Sequence, residues 1–538
     1  MNKKKYCFRT QQVYRMPKKF PFSQTPKEST PQSFVVLITR QGKVGDIFLY
    51  ILAILFSLSS TSCKKLVSIP EPVNTITTAE TFSADAQANS TMSGIYANMM
   101  NNGLVFSDGA ISIYSGLSAD ELVDLFSPTA NPTAYQFFKN DILYNNSNIT
   151  TYFWKPAYFA INQANSIISG IASSTGMSDS AKKVFTGEAK FVRAFCYFYL
   201  TNLFGNVPLV LTTDFNQTAL LARADQAIIY QNIIQDLKDA QGLLLEDFSV
   251  GKGERIRPNK WAATALLARV YLFTQKYDSA ITQANSVINN NQYNLVDLNN
   301  VFNKNSLESI WQLQQDISYS PYNATLEGLN YFIPKFYPNI NPSVPVSTNL
   351  TRYMPSLSLS NELVNSFDSG DLRKQVWVGN TSATTGSVSN GTVYYFALKY
   401  ILGSSTVPPF SSNTAPPQYY TVLRLGEQYL IRAEAEANSP NGISAAISDL
   451  NIIRARAQLL PYAGPSDQTS VINAIMHERQ VELFCEWGHR WFDLKRWDVA
   501  TQVLTANKGF PVNINSLLLP IPSSEIQIDY NLIQNPGY

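Results

Sequence analysis

Three carboxylates recur every fourth residue late in the chain, at Glu478, Glu482 and Glu486, among Arg479, Arg490, Asp493 and Arg496. Paired acids do general acid–base work, so glycoside hydrolysis is the first chemistry to weigh. A glycosidase holds its two carboxyls on opposite sides of a sugar, about 5 to 9 Å apart. Carboxylates four residues apart on a helix stack along one face instead, where like charges cost a few tenths of a kcal/mol per pair. Buried charges are paired, and Arg193, Arg424 and Arg432 lie on other predicted helices. The expected role is structural: an ion-pair network of Arg193, Glu478, Arg479, Glu482, Glu486, Arg490, Asp493 and Arg496 that holds the last helix onto a scaffold.

Metal and nucleophile chemistry have less support. The only histidines are His477 and His489, about 18 Å apart along a continuous helix. His477-Glu478 lacks a second histidine at the spacing of a zinc protease. No glycine-rich phosphate loop and no nucleophile elbow occurs. The expectation is a non-enzymatic protein with no catalytic residue, no cofactor and no metal. A net charge of +2 with only 15% charged residues leaves no footprint for nucleic acid.

A fourth chemistry-bearing residue is Cys63. Residues 47–65 read IFLYILAILFSLSSTSCKK: an apolar run after Arg40 and Lys43, closed by small residues and a cysteine. Basic flank, apolar core and small-residue end make a secretory signal, and the run is short for a membrane span. The end resembles a bacterial lipobox with Ser60 in place of the usual leucine, so Cys63 is expected to be acylated and to become the mature N-terminus. Residues 1–62 are then a signal peptide with a start assigned too far upstream. Of the four cysteines, Cys196 and Cys485 remain, both in apolar helix-like runs; they read as buried thiols, with a bridge left open.

The elements that must position these residues are mostly helices. Apolar residues at helical spacing (Ala88, Met92, Ile95, Met99) predict a helix over 83–100, and the period returns from Tyr152 and again from Ala181. Gly205 and Pro208 stop the latter. Further pairs fall at 227–245 with 259–273, and at 423–438 with 443–459. Leu267, Ala268, Tyr271 and Ala280 have the spacing of a tetratricopeptide repeat, in which small residues let two antiparallel helices approach closely. Residues 101–151 and 307–417 lose the period and read as long loops rich in Asn, Ser, Tyr and Pro. The fold class expected is all-α: tetratricopeptide-like pairs forming a scaffold, with a loop-rich region packed over it. The parts are 63–300 and 301–538, one globular unit, the second comprising 307–417, a helical 420–500 and a tail.

Four stretches carry a resemblance: the lipobox with SCKK; RAFCYFYLTNLFGNVPLV at 193–210; ERQVELFCEWGHRWFDLKRW at 478–497; and LLPIPSSEIQIDYNLIQNPGY at 518–538. With these the chain resembles the SusD/RagB family of outer-membrane nutrient-uptake lipoproteins, with Glu478-Arg479-Gln480 where the family reads Glu-Arg-Arg. The resemblance implies a helical scaffold, a lipid anchor facing the extracellular side, and a SusC-like TonB-dependent transporter beneath. The chain would be its substrate-capturing lid.

Aromatics at 12% suit an oligosaccharide ligand, since sugars stack their C–H faces on rings while Asn and Gln bond their hydroxyls. Candidate ligand-binding residues are Tyr135, Tyr331, Phe332, Tyr337, Trp377, Tyr394 and Tyr395. Peptide capture by a protein of the same uptake type is the alternative ligand. A helical-repeat scaffold docking protein partners is the alternative class.

Overall fold

A computed structural model describes residues 78–101, 103–125, 128–315, 325, 332, 355–385, 388–400 and 418–538. Residues Met1–Val73 form one unit and Asn74–Tyr538 another; Cys63 and the signal lie outside the described residues.

Helix α1 (Asp85–Asn101) buries the four residues its spacing picked out, Ala88, Met92, Ile95 and Met99. Two short elements follow, α2 (Ile111–Ser118) and β1 (Leu122–Asp124), then α3 (Pro132–Lys139). The helical array proper starts with α4 (Lys155–Ser173), which takes Pro156 in its first turn, where no backbone donor is needed. Helix α5 (Asp179–Phe204) is capped by the Ser178 hydroxyl, which accepts from the Ala181 amide, and stops at Gly205 with φ +73°. A short antiparallel pair, β2 (Val207–Pro208) with β3 (Arg223–Ala224), leads into helices α6 (Gln226–Leu243), α7 (Lys260–Phe273) and α8 (Tyr277–Ile288), which continue the array. Each helix from α4 to α8 packs on the next. Helix α7 is buried from Ala262 to Leu272 because α6 and α8 flank it. Ala280 and Ala284, fully buried, let α8 close on it.

The next neighbour of α8 in space is not its next neighbour in sequence. It packs against α11 (Leu425–Ala437), which pairs in turn with α12 (Ile443–Arg456) and α13 (Gln468–Leu483). Residues 289–424 are thus an interval set into a helical-repeat array. The all-α class holds, and the interval is the overlying layer.

That layer is more regular than its sequence suggests. It contains β4 (Ser309–Leu313), β5 (Leu357–Leu359), α9 (Asn361–Ser366), α10 (Leu372–Trp377), a hairpin of β6 (Val378–Thr385) and β7 (Val388–Ala397), and β8 (Tyr420–Arg424). Strand β4 pairs antiparallel with β8 (Ser309↔Arg424), β5 with β1 (Leu122↔Leu359), and β6 with β7 (Val378↔Ala397). Two loop expectations are corrected here. The 101–151 stretch hid α2, whose residues ISIYSGLS are all buried and so show no polar face. The 307–417 stretch hid strands β4 and β5, buried along their length and therefore without period-two alternation.

After α13 the chain turns through Cys485 (φ +53°), Trp487 (+47°) and Gly488 (+70°) into α14 (His489–Arg496), followed by α15 (Ala500–Lys508). Two non-glycine residues in the left-handed region each cost roughly 1 to 2 kcal/mol. The Trp487 indole N–H donates to the Thr421 carbonyl at 2.8 Å and its ring stacks on Tyr420, which holds the turn in place.

Candidate binding face and the ion pairs beneath it

The carboxylates of the 478–486 motif enclose a charged core. Glu478 and Glu482 lie on α13, but the helix ends at Leu483, so Glu486 reaches the others from the turn rather than from a shared helix face. Arg424, at the end of β8, bridges them: Nη1 sits 2.6 Å from Glu482 Oε1 and 3.0 Å from Glu308 Oε1, and Nε 2.7 Å from Glu486 Oε2. Arg373 of α10 contacts Glu478 at 2.6 Å, Glu482 at 3.0 Å and Asp371 at 2.8 Å. Arg456 of α12 bonds Glu482 and Glu308, and Lys399 donates to Glu486 at 2.6 Å. Burial alone would push the Glu482 carboxyl up; the guanidinium groups of Arg456, Arg424 and Arg373 hold it well below the usual range. A Cβ at Gly426 would lie 2.6 Å from Arg424 Nη1 and 2.9 Å from Glu308 Oε1, so only glycine lets α11 start against this cluster.

The single network expected from the sequence is several separate ones. Arg193 pairs bidentately with Asp236 of α6 and donates to Asn165 of α4, apart from the Glu482 cluster. Arg490 clamps Asp120 with two bonds of 2.8 Å. Arg479 and Arg496 share Asp493, and Arg496 also bonds Glu434. Arg432 pairs with Asp449. Sequence reasoning missed Glu308, Asp371, Arg373, Lys399 and Arg456 in the central cluster, and the Arg269–Glu427 pair at 2.6 Å. One signal was legible: Lys399 is a lone cation in the aromatic run YYFALKY, and its ammonium lies 3.9 Å from the Phe484 ring centre.

The histidines do no joint work. His477 Nε2 lies 2.7 Å from the Ser366 carbonyl oxygen. His489 is buried and held far below its ordinary pKa, first by desolvation and then by Arg269 and Arg479. Cys196 and Cys485 are buried and not bridged to each other, and burial pushes the Cys196 thiol up. Among the described residues no three His, Cys, Asp or Glu side chains converge as a metal site.

Of the aromatic candidates, Tyr331 and Tyr337 lie outside the described residues. Two others are corrected. Phe332 is buried, and Trp377 is 1% exposed with its indole N–H donating to the Leu298 carbonyl at 3.0 Å and its ring edge-on to Phe302. Neither offers a ring face to a ligand. Tyr394 and Tyr395 are partly exposed on β7, opposite Thr381 and Asn380 of β6. Adjacent strand residues point to opposite faces; Tyr395 packs on the hydrophobic core, which leaves Tyr394 on the other side.

Tyr135, on α3, is half-buried, with its ring centre 5.8 Å from that of Phe138. Leu143 and Tyr144, just beyond, are exposed. Helix α3 adjoins β1, β1 pairs with β5, and β5 lies against β7. Tyr135 and Tyr394 therefore belong to one continuous layer built from the interval and the α2–α3 region. Partly exposed tyrosines among Asn and Thr can stack on and hydrogen-bond a neutral polyhydroxyl ligand.

Comparison with known proteins covers most of the chain. Residues 335–538 match the family described as "SusD family", and residues 79–272 the one described as "Starch-binding associating with outer membrane". SusD-like protein P2 of Formosa agariphila is 28% identical, over 73% of this chain and 82% of its own length. The starch-binding protein SusD of Bacteroides thetaiotaomicron is 25% identical, over 68% and 74%. A solved laminarin-binding SusD-like protein superposes with a TM-score of 0.69 at 26% identity, covering 84% of this chain and 99% of its own.

Proposed function

Because this chain belongs to the SusD/RagB family, we propose that it captures oligosaccharides at the cell surface and hands them, unaltered, to a SusC-like TonB-dependent transporter in the outer membrane. The observation that carries this reading is the aromatic layer over a helical-repeat array, in a chain similar over most of its length to starch- and laminarin-binding relatives. The carboxylates that could have suggested hydrolysis, Glu478, Glu482 and Glu486, are engaged in buried ion pairs.

Each stacked ring contributes about 0.5 to 1.5 kcal/mol beyond its buried area. Two or three rings with few charges give micromolar to millimolar affinity, weak enough for release to a transporter. Calorimetry against laminari- and malto-oligosaccharides is expected to detect such binding, with no new reducing ends over hours. Tyr394→Ala should weaken it about tenfold at unchanged melting temperature, the loss of about 1.4 kcal/mol. Binding to peptides with none to sugars, or the release of sugars, would overturn the reading.

The anchor gives an independent prediction. A diacylglycerol thioether plus a further acyl chain holds a protein firmly on a membrane, where one chain is marginal. Cys63→Ala should therefore lose alkyne-fatty-acid label and leave the membrane fraction, or remain unprocessed. Label persisting on Cys63→Ala would remove Cys63 as the lipid site.

A further inference from the structure

Helices α1 and α4 pack against each other, and where α1 runs on toward Val105 they leave a cavity of about 420 Å³. Small-molecule sites occupy about 300 to 1,000 Å³. Ile95, Met99, Val105 and Phe159 make the lining mostly apolar. Neither Tyr135 nor Tyr394 belongs to it, so the cavity shares no residue with the oligosaccharide candidates.

The chemistry of the lining has a fixed order. Lys155, Phe159 and Gln163 lie four residues apart on α4, so they occupy one face at successive turns, about 12 Å from first to last. Lys155 is exposed and is the only charged residue of the lining, so no carboxylate there competes for its ammonium. Phe159, in the middle, is 53% exposed, and Met99 brings a thioether, a group that packs well against aromatic rings. At the far end Gln163 Oε1 is buried without a hydrogen-bond partner. A buried polar atom left unbonded costs free energy that a donor on a ligand recovers.

Cation, ring and unpaired acceptor, in that order, select a ligand with an acid at one end, a flat apolar body and a hydroxyl at the other. We propose that this cavity binds a hydroxylated aromatic monocarboxylic acid. Its carboxylate pairs with Lys155, its ring packs on Phe159 and Met99, and its hydroxyl donates to Gln163. A neutral oligosaccharide has neither the charge nor the apolar body, so this is a second site, independent of the uptake reading above.

The probe is 4-hydroxycinnamate, which carries carboxylate and hydroxyl at opposite ends of one flat body. Calorimetry titrates it into the full-length chain in detergent, against a micelle blank, and saturable binding is expected. Cinnamate, which lacks the hydroxyl, and the methyl ester, which lacks the charge, should each bind at least tenfold more weakly. Lys155→Glu and Phe159→Ala change exposed side chains. Each should weaken 4-hydroxycinnamate binding at least tenfold while melting temperature and oligosaccharide binding stay at parent values. Gln163→Leu should erase the preference for 4-hydroxycinnamate over cinnamate. No saturable binding, or binding that Lys155→Glu and Phe159→Ala leave intact, overturns the proposal. Octanoate binding as tightly as 4-hydroxycinnamate also overturns it, by assigning the cavity to alkyl acids. A chain that binds 4-hydroxycinnamate but no sugar removes the uptake reading and leaves this site standing; one that binds sugar alone does the reverse.

Discussion

Glu482→Ala is expected to destabilise the chain by about 3 to 5 kcal/mol, because it leaves Arg373, Arg424 and Arg456 facing a fully buried void in charge. The unfolding entropy of a unit this long is about 1 kcal/mol per degree, so the melting temperature should fall by roughly 3 to 5 °C. Sugar affinity measured below the transition should not change. A variant that melts like the parent and has lost binding would make Glu482 a ligand residue instead. The same buried acids set the pH response. Glu482, Glu486, Asp120 and Asp493 all titrate below their ordinary range despite burial, owing to the cations against them. Their stabilisation is complete above the unfolded carboxyl range, about pH 4 to 5, and is lost as pH falls through their folded values. Glu121 has the opposite sign: burial, then the charge of Asp120, push it up to about 8. Its contribution is complete below about pH 4.3 and drains away as pH rises toward 8, by up to about 1.4 kcal/mol per unit. His489, held neutral, adds stability up to about pH 6.5 and opposes this loss. The Glu121 contribution is therefore read as a difference: between pH 5 and 8 the parent should lose stability in urea relative to Glu121→Gln. A difference that does not change with pH would contradict the assignment of Glu121.

Trp377→Ala should lose about 3 to 5 kcal/mol as well, since it empties a buried indole site and orphans the Leu298 carbonyl that the indole N–H serves. The ring also faces the Lys399 ammonium, 4.8 Å from its centre, so the loss reaches the charged cluster. Calorimetric melting should show the drop, with sugar affinity of the folded protein unaltered. Parent-like stability with weakened binding would restore Trp377 to the ligand site.

That reversal shows what local sequence conveys. Helices α1 and α5 were legible because one stripe of each is apolar, and the arginines and glutamates of 478–496 were legible as partners because such charges are rarely buried alone. Trp377 was misplaced because burial of an aromatic depends on what covers it: here Leu298 and Phe302, some 75 residues earlier in the chain. The hairpin β6–β7 escaped notice because Val393, Tyr394, Tyr395 and Phe396 run together without alternation. The missing half of the charged core, Glu308 with Arg373, has no helical period to tie it to α13.

The set-in interval has a consequence for how such a protein could change its ligand. Its ends meet at α8 and α11, so its length is free to vary without moving either helix. Its chemistry is less free. Glu308, Arg373, Lys399 and Arg424 belong to the interval, whereas Arg456, Glu478, Glu482 and Glu486 belong to the array. A cassette transplanted from a relative would have to arrive with cations at those same points, or Glu482 would keep only Arg456, Glu478 only Arg454, and Glu486 would lose both Lys399 and Arg424. Recognition loops can therefore be exchanged wholesale only among chains that share this buried lock and key of charge.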